Sequence, residues 1–141
     1  MNNTTKSVVE ITLGVPISRP FELVARIRRG LPSAALARLQ KQYGSSRNEF
    51  LTMLMISPSA ARRRETEGKL SIYEGDKILR YAHLLDRTLQ LMDGNKENAL
   101  RWLAAPNRAL SGDTPLSYAV TGLGAEIISD LIAKIEHGVV I

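Results

Sequence analysis

Apolar side chains recur three and four positions apart along most of this 141-residue chain, the spacing that lines one face of a helix. The clearest organisation lies in residues 46–70, SRNEFLTMLMISPSAARRRETEGKL, which read as two short helices joined by a turn. Ser46 stands three residues before Glu49, so its hydroxyl can accept from the Glu49 amide while the carboxylate reaches back, and Phe50, Leu51 and Leu54 then share a face. Ser57 followed by Pro58 marks the second start: serine satisfies orphan amides, and proline sits where its missing N–H costs nothing. The break therefore falls near Met55 and Ile56. Beyond Ala60 and Ala61 the second helix has little apolar content, and it carries Arg62, Arg63 and Arg64 in succession.

Consecutive helical residues point about 100° apart, so these arginines are expected to fan across the outward half, with Ser59 and Thr66 nearby. The outline is a helix-turn-helix whose second helix suits a major groove, guanidinium groups meeting phosphates or the O6/N7 edge of guanine. A solvated basic helix is the plain alternative. Met55 stands where such turns usually have glycine, and Arg64 where an apolar anchor is usual. Together they predict a wider turn or a rotated second helix.

In chain order, residues 1–18 are polar and then β-branched, with Pro16 against a central strand; they read as a short strand or an extended arm. A helix is expected over 19–30, capped by Ser18 and closed by Gly30, with either Phe21, Val24 and Ile27 or Leu23 and Ile27 inward. Another follows Leu31-Pro32-Ser33, with Leu36, Leu39 and Tyr43 on one face and Gly44 as its stop. Ser71 and Glu74 open the longest helix, 72–92, whose stripe of Ile78, Leu79, Ala82, Leu85, Leu89 and Met92 is widened by Leu84 and Leu91. With Tyr81, those extra positions suggest a homodimer seam. Residues 96–105 form a helix bearing Trp102 and Leu103. Thr114-Pro115 launches a short helix through Val120, which Gly122 and Gly124 break. A last helix, 125–137, places Ile127, Ile128, Leu131, Ile132 and Ile135 on one face before Gly138. The apolar end, Val139-Val140-Ile141, is expected to be tucked into a core or a partner.

Charge changes this picture by dividing it. The net charge is +5, yet residues 1–93 hold 15 basic against 9 acidic side chains and residues 94–141 hold 4 against 5. A polyanion partner suits the first part only. The absence of cysteine excludes disulfides, thiolate metal sites and a cysteine nucleophile. No apolar run approaches the roughly 20 residues that cross a bilayer, and the N-terminus lacks signal-peptide order, so a cytoplasmic protein is expected. His83 and His137 have no metal-ligand spacing, and no phosphate-binding or nucleophile motif occurs. The reading is a protein without catalytic activity, metal or cofactor.

The C-terminal residues Trp102-Leu103, Pro106-Asn107, Leu110, Gly112, Pro115-Leu116, Thr121, Gly124 and Ile135-Glu136-His137-Gly138, in that order and spacing, resemble the toxin-binding domain of the Xre/MbcA/ParS antitoxin family. Upstream, ISPSAARRRETEGKLS is similar to the Xre-like helix-turn-helix of these antitoxins, and 72–92 fits the connecting helix. The resemblance covers nearly all of the chain after Phe21. The chain is thus expected to be all-α: an N-terminal arm, 1–18, of which the resemblance says little; an Xre-like helix-turn-helix domain with its long connecting helix, 19–93; and a small helical toxin-binding domain, 94–141. The resemblance further implies an antitoxin that covers the active site of a RES-domain toxin degrading NAD⁺ and binds its own operator. Ser57, Ser59, Arg62, Arg63, Arg64 and Thr66 would then meet DNA. Trp102, Asn107, Arg108, Glu136, His137, Gly138, Val139, Val140 and Ile141 would meet the toxin. The competing class is a helix-turn-helix regulator whose C-terminal domain oligomerises or senses a ligand.

Overall fold

The computed structural model describes residues 6–138, and these are all-α: nine helices, one 3₁₀ turn and a single antiparallel bridge between Pro32 and Lys69. The chain divides into two compact units, Met1–Ala82 and His83–Ile141.

The first unit begins with α1, Val8–Leu13, where a strand or extended arm was expected. Its β-branched residues are overruled at both ends. Ser7 and Glu10 form a complete capping box, Gly14 closes the helix in the left-handed conformation, and α1 packs on α3, Ala34–Tyr43. Glu10 Oε2 also accepts the Ile17 amide at 3.0 Å, and Arg38 Nη1 donates to the Leu13 carbonyl at 3.1 Å. A Cβ at Gly14 would land on the Arg38 guanidinium, and its φ of +80° disfavours any other residue. The Ile17 amide, then that of Ser7, holds the Glu10 carboxyl below its ordinary range.

Helix α2, Pro20–Arg29, starts from Arg19 rather than Ser18 and buries none of its residues. Leu23 and Ile27 are half-buried, whereas Phe21 and Val24 are 62% and 49% exposed, so the second of the two inward faces read from sequence is the one adopted. In α3, Leu36, Leu39 and Tyr43 are buried as their spacing predicts, and Gly44 caps the helix. Phe50, Leu51 and Leu54 of α4, Arg47–Leu54, complete the centre of the unit with Ala61 of α5, Pro58–Glu67.

Helix α6, Ile72–Leu91, crosses the division. Within the first unit its Tyr81 is fully buried, accepts at its carbonyl from the Tyr43 hydroxyl at 2.7 Å, and has its own phenol pushed up to about 12 by burial. Of the positions that suggested a homodimer seam on this helix, Tyr81 and Leu84 are 0% and 3% exposed and belong to the chain's own core, while Leu91, with Leu89 and Met92, is half-buried. His83 is exposed.

In the second unit α7, Lys96–Ala104, packs on α8, Pro115–Tyr118, which packs on α9, Gly122–Glu136; a 3₁₀ turn at Arg108–Leu110 lies between α7 and α8. Gly122 and Gly124 do not break a helix. They lie in its first turn, after Thr121, whose hydroxyl accepts the Gly124 amide at 3.0 Å. Gly124 is required there, because a Cβ would land on the Tyr118 carbonyl. Of the five residues expected on one face of α9, Ile128, Leu131 and Ile132 are buried, while Ile127 and Ile135 are 40% and 37% exposed.

Candidate functional site

Two surfaces carry the candidate chemistry. The first is α4, the turn and α5. The turn is narrow, not wide as Met55 and Arg64 suggested. Met55 itself adopts the left-handed conformation, φ +55°, that glycine usually supplies. Its amide donates to the Thr52 carbonyl and that of Ile56 to the Leu51 carbonyl, the paired bonds of a Schellman stop, with Ile56 buried beneath. Ser57 then accepts the Ala60 amide at 3.1 Å, and Pro58 opens α5.

With only Ala61 buried, α5 has a small apolar hold and is pinned by ions instead. Arg47 on α4 grips Glu65 with two bonds, 2.7 and 3.1 Å. Arg64 does not join an outward fan with its neighbours. Its Nε donates to Glu74 Oε1 at 2.7 Å and its Nη1 to Glu67 Oε2 at 3.1 Å, and the same Glu74 oxygen accepts the Ser71 amide at the start of α6. Burial opposes the charged form of Glu74, but the Ser71 amide and hydroxyl and Arg64 together outweigh it and draw the carboxyl below its ordinary range. Arg64, paired first with Glu67, is held still more firmly protonated. Thus the residue standing where an apolar anchor is usual is an anchor of another kind.

Arg62 and Arg63 are exposed and enter no ion pair among the described residues, as do the exposed Ser57 and Ser59. Thr66 turns its hydroxyl back to the Arg62 carbonyl at 3.1 Å. What remains outward along α5 is a cationic edge centred on Arg62 and Arg63, rimmed by hydroxyls.

The second surface is built on α8, α9 and the 3₁₀ turn. Leu123, 70% exposed, and Ile127 stand one helical turn apart on α9. On one side of Ile127 lies a depression of about 270 Å³ lined by Ala109, Leu110, Asp130, Leu131 and Lys134. On the other is a shallower one of about 460 Å³, lined by Asp113, Ser117, Tyr118 and Leu123 among others. An apolar ridge between polar-edged hollows can seat a protein surface, since apolar knobs fill pockets while the rim supplies hydrogen bonds. Sequence reasoning missed Leu123 because it lies between two glycines. The signal was Thr121, whose capping position starts α9 early enough to align Leu123 with Ile127.

The C-terminal candidates do not form one cluster. Trp102 is half-buried on α7 and Arg108 is exposed. Asn107 organises its own loop: its Oδ1 accepts the Ala109 amide at 3.0 Å, and its N–H donates to the Asp113 carbonyl at 3.0 Å. Glu136 is paired with Arg87 of α6 at 3.1 Å, while His137 ends α9 and Gly138 turns with φ +71°. Val139, Val140 and Ile141 lie outside the described residues. No helix among those described is long and apolar enough to cross a membrane.

Known proteins are similar to this chain in sequence. Residues 22–83 match the Antitoxin Xre-like helix-turn-helix domain, and residues 88–138 match the Antitoxin Xre/MbcA/ParS C-terminal toxin-binding domain. A protein named Antitoxin Xre from Photorhabdus laumondii is 32% identical over 130 residues, covering 92% of this chain and 88% of that relative. Another of the same name from Yersinia enterocolitica is 31% identical over 128 residues, covering 90% and 86%. A cationic helix-turn-helix in one unit and an exposed apolar ridge in the other fall within the two matched regions, and the chain belongs to the Xre/MbcA/ParS antitoxin family.

Proposed function

We propose that the protein neutralises a RES-domain toxin that degrades NAD⁺ by covering the entrance to its active site, and that as a dimer it binds its own operator through α5 to repress the operon. The toxin class follows from the resemblance carried by Trp102 through Gly138. The observation that carries the docking surface is the exposed pair Leu123 and Ile127 between two hollows of the toxin-binding domain. Large apolar side chains left in solvent at such a place are the ones a partner buries with greatest gain. Arg108, His137 and Gly138 edge this reading of the contact, and Val139, Val140 and Ile141 complete it by their sequence character. Asn107 and Glu136 act by holding the loop and the end of α9 in place.

On the DNA side, Arg62 and Arg63 contact phosphate or guanine, Ser57 and Ser59 contact the backbone, and Arg64 holds α5 against α6. Co-production with a RES-domain toxin tests the division. Leu123→Asp with Ile127→Asp is expected to abolish protection of growth and of cellular NAD⁺ while leaving operator binding intact. Arg62→Ala with Arg63→Ala is expected to do the opposite and to flatten the salt dependence of operator binding by about 2 in log–log slope. Full protection of NAD⁺ by the Leu123/Ile127 variant would overturn the docking surface. Unchanged operator affinity in the Arg62/Arg63 variant would overturn the DNA reading.

A further inference from the structure

Helix α2 is, among the described residues, the one element of ten residues or more that buries nothing, and on its outer side Arg19 of the same chain lies over the Phe21 ring, 5.8 Å from its centroid. Phe21, Val24 and Ala25 lie together on that side, with Arg28 at its C-terminal end, all exposed. Glu22, Arg26 and Arg29 follow one flank of the stripe. None of these charges enters an ion pair among the described residues.

We propose that α2 is the self-association surface of the protein: two copies pack this helix against itself, antiparallel, about a two-fold axis passing between Val24 and Ala25. This rests on the dimeric reading above and gives it a place away from α6, where Tyr81 and Leu84 are buried. The charges select the occupant and the direction. In an antiparallel isologous pair each flank meets the same flank of the other copy, so Glu22 comes opposite Arg26 and Arg29 of the second molecule, twice. A parallel pair brings opposite flanks together, which would set Glu22 against the flank of Leu23 and Ile27, already half-buried in its own chain, and leave it without an arginine. The same register stacks Phe21 near the second copy's Arg28, a cation over a ring, and brings Val24 against Ala25, whose small side chain admits close approach. An anionic membrane is the other surface that a short basic amphipathic helix could meet, but it would leave Glu22 opposed.

Sedimentation of the full-length chain at micromolar concentration tests this. Wild type is expected to be a dimer and Phe21→Glu a monomer with unchanged helical circular dichroism, because Phe21 supports no core. Glu22→Arg and Arg29→Glu should each weaken the dimer at least about tenfold, since each sets like charges face to face. Combining both changes in one chain should recover part of the loss, since position 29 then attracts position 22 of the other copy while Arg26 still opposes it, and mixing the two single variants should give a heterodimer. A dimeric wild type that Phe21→Glu leaves dimeric would overturn the surface while sparing the dimer. A monomeric wild type would overturn both, and if it bound phosphatidylserine vesicles through Phe21 the occupant of the face would be lipid. Failure of the double charge swap to recover any of what the single swaps lose would overturn the antiparallel register.

Discussion

Helices α5 and α9 hold their places by opposite means. α9 buries Gly124, Ile128, Leu131 and Ile132 and needs few polar contacts. α5 buries Ala61 alone and is fastened by a serine cap, a left-handed turn and the Arg47–Glu65 and Arg64–Glu74 pairs. A helix meant to enter a groove has to keep most of its circumference free, so its fastening moves to its ends and to one side chain. A helix that exposes only the ridge of Leu123 and Ile127 can sink the rest of itself into a core.

That contrast is open to direct attack, and the strongest blow falls on packing. Gly124→Ala forces a methyl onto the Tyr118 carbonyl and is expected to cost about 3 kcal/mol in denaturant unfolding. A loss below the error of measurement would show that α9 is not seated as described. Glu74→Gln removes the clamp between α5 and α6 and is expected to cost about 2 kcal/mol, because Arg64 keeps only Glu67 on its own helix and the Ser71 amide loses its charged acceptor. Operator affinity should fall with it, whereas toxin neutralisation should not.

The same clamp has a pH signature. Glu74 and Glu10 both lie below 4.5 in the folded protein, so the unfolded chain takes up more protons as pH drops. Their stabilisation is whole above about pH 4.5 and is lost below it, so acid unfolding followed by circular dichroism should begin in that range. Glu74→Gln should flatten the acid limb, and a limb of unchanged steepness would assign the protons elsewhere. Met55→Gly relieves the left-handed strain of the turn and is expected to raise stability by about 1 kcal/mol, a rare gain from adding glycine. Arg47→Ala should register least, below about 1 kcal/mol, because the Arg47 and Glu65 side chains are 39% and 43% exposed.

Much of the fold was legible because it is written in caps. Ser46, Ser57, Thr114 and Gly44 mark ends that the chain honours, and the 72–92 stripe became a helix of 20 residues. What escaped was written in pairs. VVEITL reads as a strand by propensity, although Ser7 and Glu10 already spelled a helix start and Gly14 its stop. Arg64 reads as one of three equal cations until Glu74, ten residues on, is folded against it. The surplus apolar positions on α6 suggested a second chain because width alone does not tell whether neighbours come from within or without. At the second surface Leu123 was hidden by the glycines beside it.

One helix crosses the division between the units, carrying buried Ile78, Tyr81 and Ala82 before it and buried Leu84, Leu85 and Thr88 after it. A chimera that joins the first unit of this chain to the second unit of a relative therefore cannot be spliced at the boundary itself without stripping one hydrophobic half-cylinder bare. The workable junction lies beyond the helix, where Asp93 and Gly94 both turn left-handed, so an imported second unit would have to accept its host's α6 as part of its own core.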